Sequence, residues 1–475
     1  MFGLLLSLLV GRTFGTEGAG VFFAVVAVVM VASNTVELGA DTGFVWVLPR
    51  LRSQGRADLQ RRVIRVGLVP VIGTTVVVAA TMWLTAVPLA GAIGGGEQTV
   101  RGLQFGAAAV LGGTIATVAV SITRGFGRLT PYIGLQNFAL PALRVLGVAV
   151  AAVAGWSVSE ALGLWSAAWV IVAVVAVIWA FRLARVEDPH PDRVTPPAGL
   201  RREFWGFSAP RAVAGVVEIG LVWLDVLLVS ILIGPAEAGI YAIASRFVTT
   251  GTLGQNALRI ALAPRFSALF ARLDVAGVNH LLGLATPLSI AFTWPIFIVA
   301  AANAGALLSI FGTGFDAGAP ALVLLSMAMI AFAVLGPIQP VLLMSGHSGW
   351  QLMNKSAALV VMVAVDLVLV PQWGIVGAAV GWVAAMLTDN AAAVLELWLI
   401  ESVRFEWRKT LPTMILVGGG VLAVVGLVRV SGLAGVPALI VGAAGAAAWV
   451  VLLMVAPRSP ISLVHGLEGE SHDAA

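Results

Sequence analysis

Nine ionisable side chains fall within stretches that are otherwise almost wholly apolar: Glu37, Asp41, Arg144, Glu218, Asp225, Arg246, Asp366, Asp389 and Glu396. A charge held in hydrocarbon costs about 2.5 kcal/mol or more, so each one needs a partner or a task. Nine together point to a wet interior rather than to inert packing. Arg211, Glu218 and Asp225 follow one another at intervals of seven, which keeps all three on nearly one face of a helix. That face cannot look at lipid. Asn34, Glu37 and Asp41 repeat at i, i+3 and i+7, a polar stripe expected to face a cavity. Asp225 lies eleven residues before the turn centred near Ala236, and Arg246 ten after it. At about 1.5 Å per residue both are placed roughly 15 Å from that turn. They form a candidate ion pair at a membrane midplane, serving either as scaffold or in substrate and proton handling.

Arg144 has no obvious partner in its own stretch. Its planar fork of donors suits two oxygens of a phosphate, and a bond to a neighbouring carboxylate or carbonyl is the other reading. Asp366, Asp389 and Glu396 are able to take up protons or a cation, but no spacing resembles a fixed metal box. His280 and His347 lie at the edges of apolar stretches. A P-loop, a G-x-S-x-G elbow and an HExxH helix are all missing from the sequence, so an enzymatic role, a cofactor and a bound metal are not expected.

The elements that must hold these groups follow from composition. The chain is 60% hydrophobic and 11% charged, where a soluble domain carries roughly a quarter charged residues. Apolar runs recur over residues 2–11, 19–40, 67–90, 103–121, 133–154, 161–180, 209–232, 239–258, 281–308, 319–343, 356–370, 374–399, 411–428 and 433–455. Most are long enough to cross about 30 Å of hydrocarbon as a helix, and isolated strands would leave backbone polar groups unsatisfied there. The expectation is an all-α polytopic membrane protein of about 14 transmembrane helices. The first run is short and begins at the chain start, so the first helix is expected to be truncated.

Cysteine is absent and the net charge is +4. The distribution of the basic residues says more than their sum. Every second connection, together with the C-terminus, holds 22 of the 27 lysines and arginines, whereas the alternate connections hold only Arg12, Arg101 and Arg429. This is the positive-inside pattern over the whole chain, which places both termini in the cytoplasm and excludes a nucleic-acid reading of the basic charge. The basic connections are expected to set topology and to touch anionic lipid.

An internal echo fixes the organisation. LLVGRTFGTEGAGVFFAV near the start matches ILIGPAEAGIYAIASR from Ile231, with Gly15 and Gly20 answered by Gly234 and Gly239. A second pair, Ala161–Leu164 and Gly374–Ala379, opens the sixth and twelfth runs. Two six-helix lobes of like orientation plus two C-terminal helices explain both. The expected division is a first lobe over 1–182, a cytoplasmic linker over 183–207, a second lobe over 208–400, a helix pair over 401–456 and a cytoplasmic tail over 457–475.

The stretches LLVGRTFGTEGAGVFFAV, SNTVELGADTGFVWVLPR, WLDVLLVSILIGPAEAGIYAIASR, LLSIFGTGFDAGAPALVLLSMAMIAFAVLGPIQPVLLMSG and LVPQWGIVGAAVG resemble the landmarks of bacterial polysaccharide-export flippases. That family belongs to the superfamily of multidrug, oligosaccharidyl-lipid and polysaccharide exporters. The resemblance covers about Leu4 to Leu399, and the last two helices match only in number and position. It implies a V-shaped carrier in the bacterial plasma membrane that moves a polyprenyl-pyrophosphate-linked oligosaccharide from the inner to the outer leaflet by alternating access. Membrane lipids, glycosyltransferases and a polysaccharide polymerase are the implied partners. In the resemblance Arg12 corresponds to an arginine after the first helix, a candidate pyrophosphate contact beside Arg144 and Arg246, although the topology puts it near the outer face. Asp225 and Arg246 fall where an aspartate and a basic residue are common in the family. A lipid II flippase and a gradient-driven multidrug exporter of the same superfamily are the alternatives; a drug exporter, taking cations, favours carboxylates over arginines in its cavity.

Overall fold

The computed structural model describes residues 2–187, 199–404, 407–456 and 461. The middle of the expected linker, with Arg193, and almost all of the expected tail, with Arg458, lie outside the described residues. Among the described residues every regular element is a helix. This is the outcome that lipid imposes on a chain whose backbone groups must be satisfied locally. Contacts group the chain into two compact units, residues 1–239 and 240–475.

The first unit contains α1 (Phe2–Val36), α2 (Ala40–Ser53), α3 (Gln60–Leu84), α4 (Ala86–Ala92), α5 (Glu97–Gly125), α6 (Leu140–Val153), α7 (Val158–Glu187) and α8 (Leu200–Ile233), and ends within α9 (Pro235–Gly251). A π-helical stretch, Tyr132–Ala139, leads into α6. The first and second expected runs share one helix, α1, which Gly15 breaks by taking φ 67° and ψ −168°. The second expected run, 19–40, is itself cut short. Leu38 and Gly39 both take left-handed backbone, with φ 52° and φ 69°, so α1 ends and α2 starts in a new direction. Gly39 is required there twice over, because a Cβ would strike the backbone carbonyl of Ser208 on α8.

One apolar core ties this unit together. Phe44 and Leu48 of α2, Val63 of α3, Val118 of α5, Ala176 of α7 and Phe204 of α8 are buried against one another. The rings of Phe44 and Phe204 lie 5.1 Å apart. By contrast Val77, Leu84 and Val153 stand outward, the last of them 92% exposed, an arrangement that a lipid-facing surface tolerates and a watery one does not.

The second unit contains the remainder of α9, then α10 (Leu253–Ala271), α11 (Val275–Ala302), α12 (Ala304–Ser309), α13 (Ala319–Ala333), α14 (Ile338–Met344), α15 (Ser348–Trp373), α16 (Ile375–Leu399), α17 (Trp407–Thr413), α18 (Gly419–Val430) and α19 (Gly435–Val455). Phe266, Val278, Ile338 and Leu397 form the core of α10, α11, α14 and α16. The C-terminal helices pack on α11. Ile290 and Ala291 of α11 are buried with Val417, Val450 and Leu453, and Arg429 donates to the carbonyl of Ala302 at 2.9 Å.

Twelve segments among the described residues are long and apolar enough to cross a membrane. The difference from fourteen has two local causes. The segment Phe2–Ser53 holds both of the first two expected runs, and the eighth expected run, 239–258, is divided where α9 stops at Gly251 and α10 begins at Leu253.

Candidate functional site

The repeated glycines of the sequence meet in space. Gly20, in α1, and Gly239, in the first turns of α9, allow the two helices to touch backbone to backbone. A Cβ on Gly20 would overlap the carbonyl of Pro235, and a Cβ on Gly239 would overlap the carbonyl of Thr16 and the amide nitrogen of Gly20. Under the offset of the echo, Pro235 answers to Thr16 and Gly239 to Gly20, so the contact exchanges equivalent positions.

Deeper in the first unit, a cavity of about 200 Å³ is lined by Asn34, Glu37, Gly39, Asp41, Thr42, Arg211, Ala212, Ala214, Gly215 and Glu218. The polar stripe expected on one continuous helix is thus spread over α1, the Leu38–Gly39 turn and α2, yet all three of its members reach the same space. The left-handed turn re-aims Asp41, which a straight helix would have carried onward. Thr42 donates to the carbonyl of Gly39 at 3.0 Å and to Asp41 Oδ1 at 3.3 Å, holding the start of α2 in place. Asn34 Oδ1 is fully buried and has no hydrogen-bond partner among the described residues. Three carboxylates and one guanidinium therefore line one small cavity, and the acidic side chains outnumber the basic one.

α8 supplies only two of the three residues expected to share its face. Arg211 and Glu218 line the cavity, whereas Asp225 does not. Asp225 is 2% exposed, and its Oδ1 accepts from the backbone N–H of Val226 at 2.7 Å. Sevenfold spacing drifts by about 20° per repeat on a straight helix, and the neighbours of α8 change along its length, so the common face does not give a common environment. Arg246, on α9, lies in the second unit and is half-buried; the hydroxyls of Thr249 and Thr250 donate to its backbone carbonyl. Arg12, on α1, is exposed.

Arg144 is held by aromatic rings. Its guanidinium carbon sits 4.8 Å from the centre of Trp165 and 4.1 Å from that of Trp169, two residues one helical turn apart on α7. Desolvated cation–π contacts are worth up to about 2 kcal/mol each, which offsets part of the cost of a charge in this place. Nε and Nη2 of Arg144, and Nε1 of Trp169, are buried with no hydrogen-bond partner among the described residues. Trp165 also packs edge-on against Phe22 of α1. The i, i+4 spacing of the two tryptophans is the signal for this clamp in the sequence.

In the second unit, Asp389 and Glu396 of α16 each find a partner. Gln339 of α14 donates to Asp389 Oδ2 at 3.0 Å, and Lys355 Nζ of α15 stands 3.9 Å from the same oxygen. Asn354, also of α15, donates to Glu396 Oε2 at 2.8 Å. Asp366, fully buried on α15, lies against Gly381 of α16, where a Cβ would overlap its Oδ1. In the sequence Lys355 reads as one of the basic connections, and Gln339 and Asn354 as uncharged polar residues. They sit near helix ends, where polar residues are ordinary, and only the packing of α14 and α15 on α16 brings them to the carboxylates. Among the described residues no group of three or more His, Asp or Glu side chains is arranged to hold a metal ion.

No protein-family model matches the chain, and no curated protein does either. Solved structures do. A lipid II flippase, MurJ, in an inward closed conformation is 12% identical, with a TM-score of 0.72 over 95% of this chain and 96% of that one. An inward-facing multidrug resistance transporter of the MATE family, within the MOP superfamily, is 13% identical, with a TM-score of 0.66 over 85% and 94%. A MOP superfamily transporter from Pyrococcus furiosus is 14% identical, with a TM-score of 0.56 over 84% and 90%. The chain shares the polytopic helical fold of these membrane transporters.

Proposed function

We propose that this protein is a flippase that moves a polyprenyl-pyrophosphate-linked oligosaccharide from the inner to the outer leaflet of a bacterial plasma membrane, for polysaccharide biosynthesis, by exposing a polar interior to each side in turn. The observation that carries the reading is the cavity of Asn34, Glu37, Asp41, Arg211 and Glu218 inside a bundle whose outer faces are apolar. A sugar-pyrophosphate headgroup is hydrated and anionic, so its crossing of hydrocarbon needs such a polar route, while the prenyl tail stays in lipid. Arg144, Arg246 and Arg12 are the headgroup candidates. The carboxylates Glu37, Asp41, Glu218, Asp225, Asp366, Asp389 and Glu396 are the candidates for ion or proton coupling, with Asn34 beside them. The protein works as two six-helix lobes, 1–182 and 208–400, joined by the linker 183–207 and followed by the pair 401–456, with both termini in the cytoplasm. Glycosyltransferases and a polysaccharide polymerase supply and consume the substrate.

The likeness in fold to the lipid II flippase extends over nearly the whole chain. The exporter structure that covers 85% of this chain leaves about a seventh of it unmatched. One observation favours the exporter instead: carboxylates outnumber arginine in the described cavity, and that polarity suits a cation. Reconstitution into liposomes separates the readings. Acceleration of inner-to-outer transfer of a polyprenyl-linked sugar supports the flippase; extrusion of cationic drugs without such transfer overturns it. Transfer of lipid II alone selects the peptidoglycan precursor as substrate.

A further inference from the structure

A second space in the first unit lies on the other side of the Leu38–Gly39 turn. It is an open groove of about 910 Å³ lined by Leu38, Pro70, Gly199, Arg201, Arg202 and Trp205. Its composition is sharply divided. Leu38 and Pro70 offer an apolar wall from the α1–α2 turn and from α3. Arg201 and Arg202, both exposed, stand in the first turn of α8, and neither has a carboxylate partner among the described residues. Trp205 lies one turn further along the same helix, with an apolar body and one N–H.

We propose that this groove binds an anionic phospholipid, with its phosphate on Arg201 and Arg202 and an acyl chain along Leu38, Pro70 and Trp205. Charge complementarity selects the occupant: a zwitterionic lipid gains little from two guanidinium groups that have no carboxylate partner among the described residues, and a free anion leaves the apolar wall uncovered. The two arginines stand at the positive end of the dipole of a 34-residue helix, which adds to the attraction for an anion.

The groove also touches the hinge of the polar cavity. Leu38 lines the groove, while its neighbours Glu37 and Gly39 line the cavity. A lipid chain seated on Leu38 therefore bears on the left-handed turn that aims Glu37 and Asp41, and lipid occupancy and cavity geometry are coupled through one residue. The inference does not require the proposed transport, and binding is read without it.

The test uses the full chain in neutral detergent, titrated with dihexanoyl phosphatidylglycerol, dihexanoyl phosphatidylcholine or sodium phosphate while tryptophan emission is followed. Trp205→Phe identifies the part of the signal that arises in the groove. Saturable binding of phosphatidylglycerol is expected, weakened roughly thirtyfold in Arg201→Ala/Arg202→Ala and little changed in Arg56→Ala/Arg128→Ala, which removes the same charge elsewhere. Phosphatidylcholine and phosphate are expected to bind at least tenfold more weakly. Equal loss in both double variants, phosphatidylcholine binding as tight as phosphatidylglycerol, or inorganic phosphate binding as tightly as the lipid would each overturn the proposal. All four arginines are exposed or half-exposed, and an unchanged melting temperature establishes that each variant is folded.

Discussion

Gly20 and Gly239, 219 residues apart in the chain, lie against each other, each close enough that a single added carbon would enter the other's helix. In lipid, where apolar surface gains nothing by leaving solvent, helices hold together through close contact, and small residues make that contact available.

Gly20→Ala and Gly239→Ala are therefore expected to destabilise the protein, each by about 1–3 kcal/mol, the usual range for forcing extra volume into a packed site. Gly3→Ala, which meets open space, is the matched control. Thermal melting in detergent checks this, and equal melting temperatures for all three variants would remove the contact from any structural role.

Among the described residues Arg211 is the one cation that lines the cavity, against Glu37, Asp41 and Glu218. Arg211→Gln is expected to slow transfer in proteoliposomes by more than about tenfold, because it leaves like charges to repel one another. Adding Glu218→Gln should restore part of the rate. A double variant as slow as the product of the single effects would show that the two side chains act independently.

The tryptophan clamp makes separate demands on Arg144. Arg144→Lys keeps the charge but loses the flat surface that stacks on Trp165 and Trp169, and is expected to cost about 1–2 kcal/mol in thermal stability. Trp169→Phe keeps a ring and should cost less. A lysine variant as stable as the parent would mean that charge alone matters at this site.

Lys355→Met is expected to be more harmful than Asp389→Asn. The first takes the ammonium group away from a buried carboxylate that keeps its bond from Gln339; the second removes the charge and keeps an oxygen for Gln339. Losing one partner of a buried pair costs about 3–5 kcal/mol when the other stays charged. Melting curves of the two variants and of Lys355→Met/Asp389→Asn give the order, and the double variant should lie close to Asp389→Asn.

The absence of cysteine makes topology directly measurable. Single cysteines at Arg128, between α5 and α6, and at Ser157, between α6 and α7, should label from opposite sides of the membrane. Arg128→Cys is expected to react from the cytoplasm and Ser157→Cys from outside. The reverse result would invert the orientation drawn from the arginine distribution, and labelling of both from one side would deny that α6 crosses.

Composition and periodicity alone settled that this chain is a bundle of membrane-crossing helices. Hydrocarbon leaves a long apolar run no other way to satisfy its backbone, and that constraint is local. The stripe of Asn34, Glu37 and Asp41 and the pair Arg211 and Glu218 were legible for the same reason, since a charged group among apolar ones is conspicuous without any knowledge of its neighbours. What lies opposite such a group is another matter. Only the packing of α1, α2 and α8 brought the stripe and the pair to one cavity that Asp225 does not line, and bent the chain at Leu38 so that Asp41 sits on a different helix from Asn34. The clamp on Arg144 and the partners of Asp389 and Glu396 come from contacts between separate helices. Their energies depend on distances that a one-dimensional spacing does not contain, and for that reason tertiary structure alone decided them.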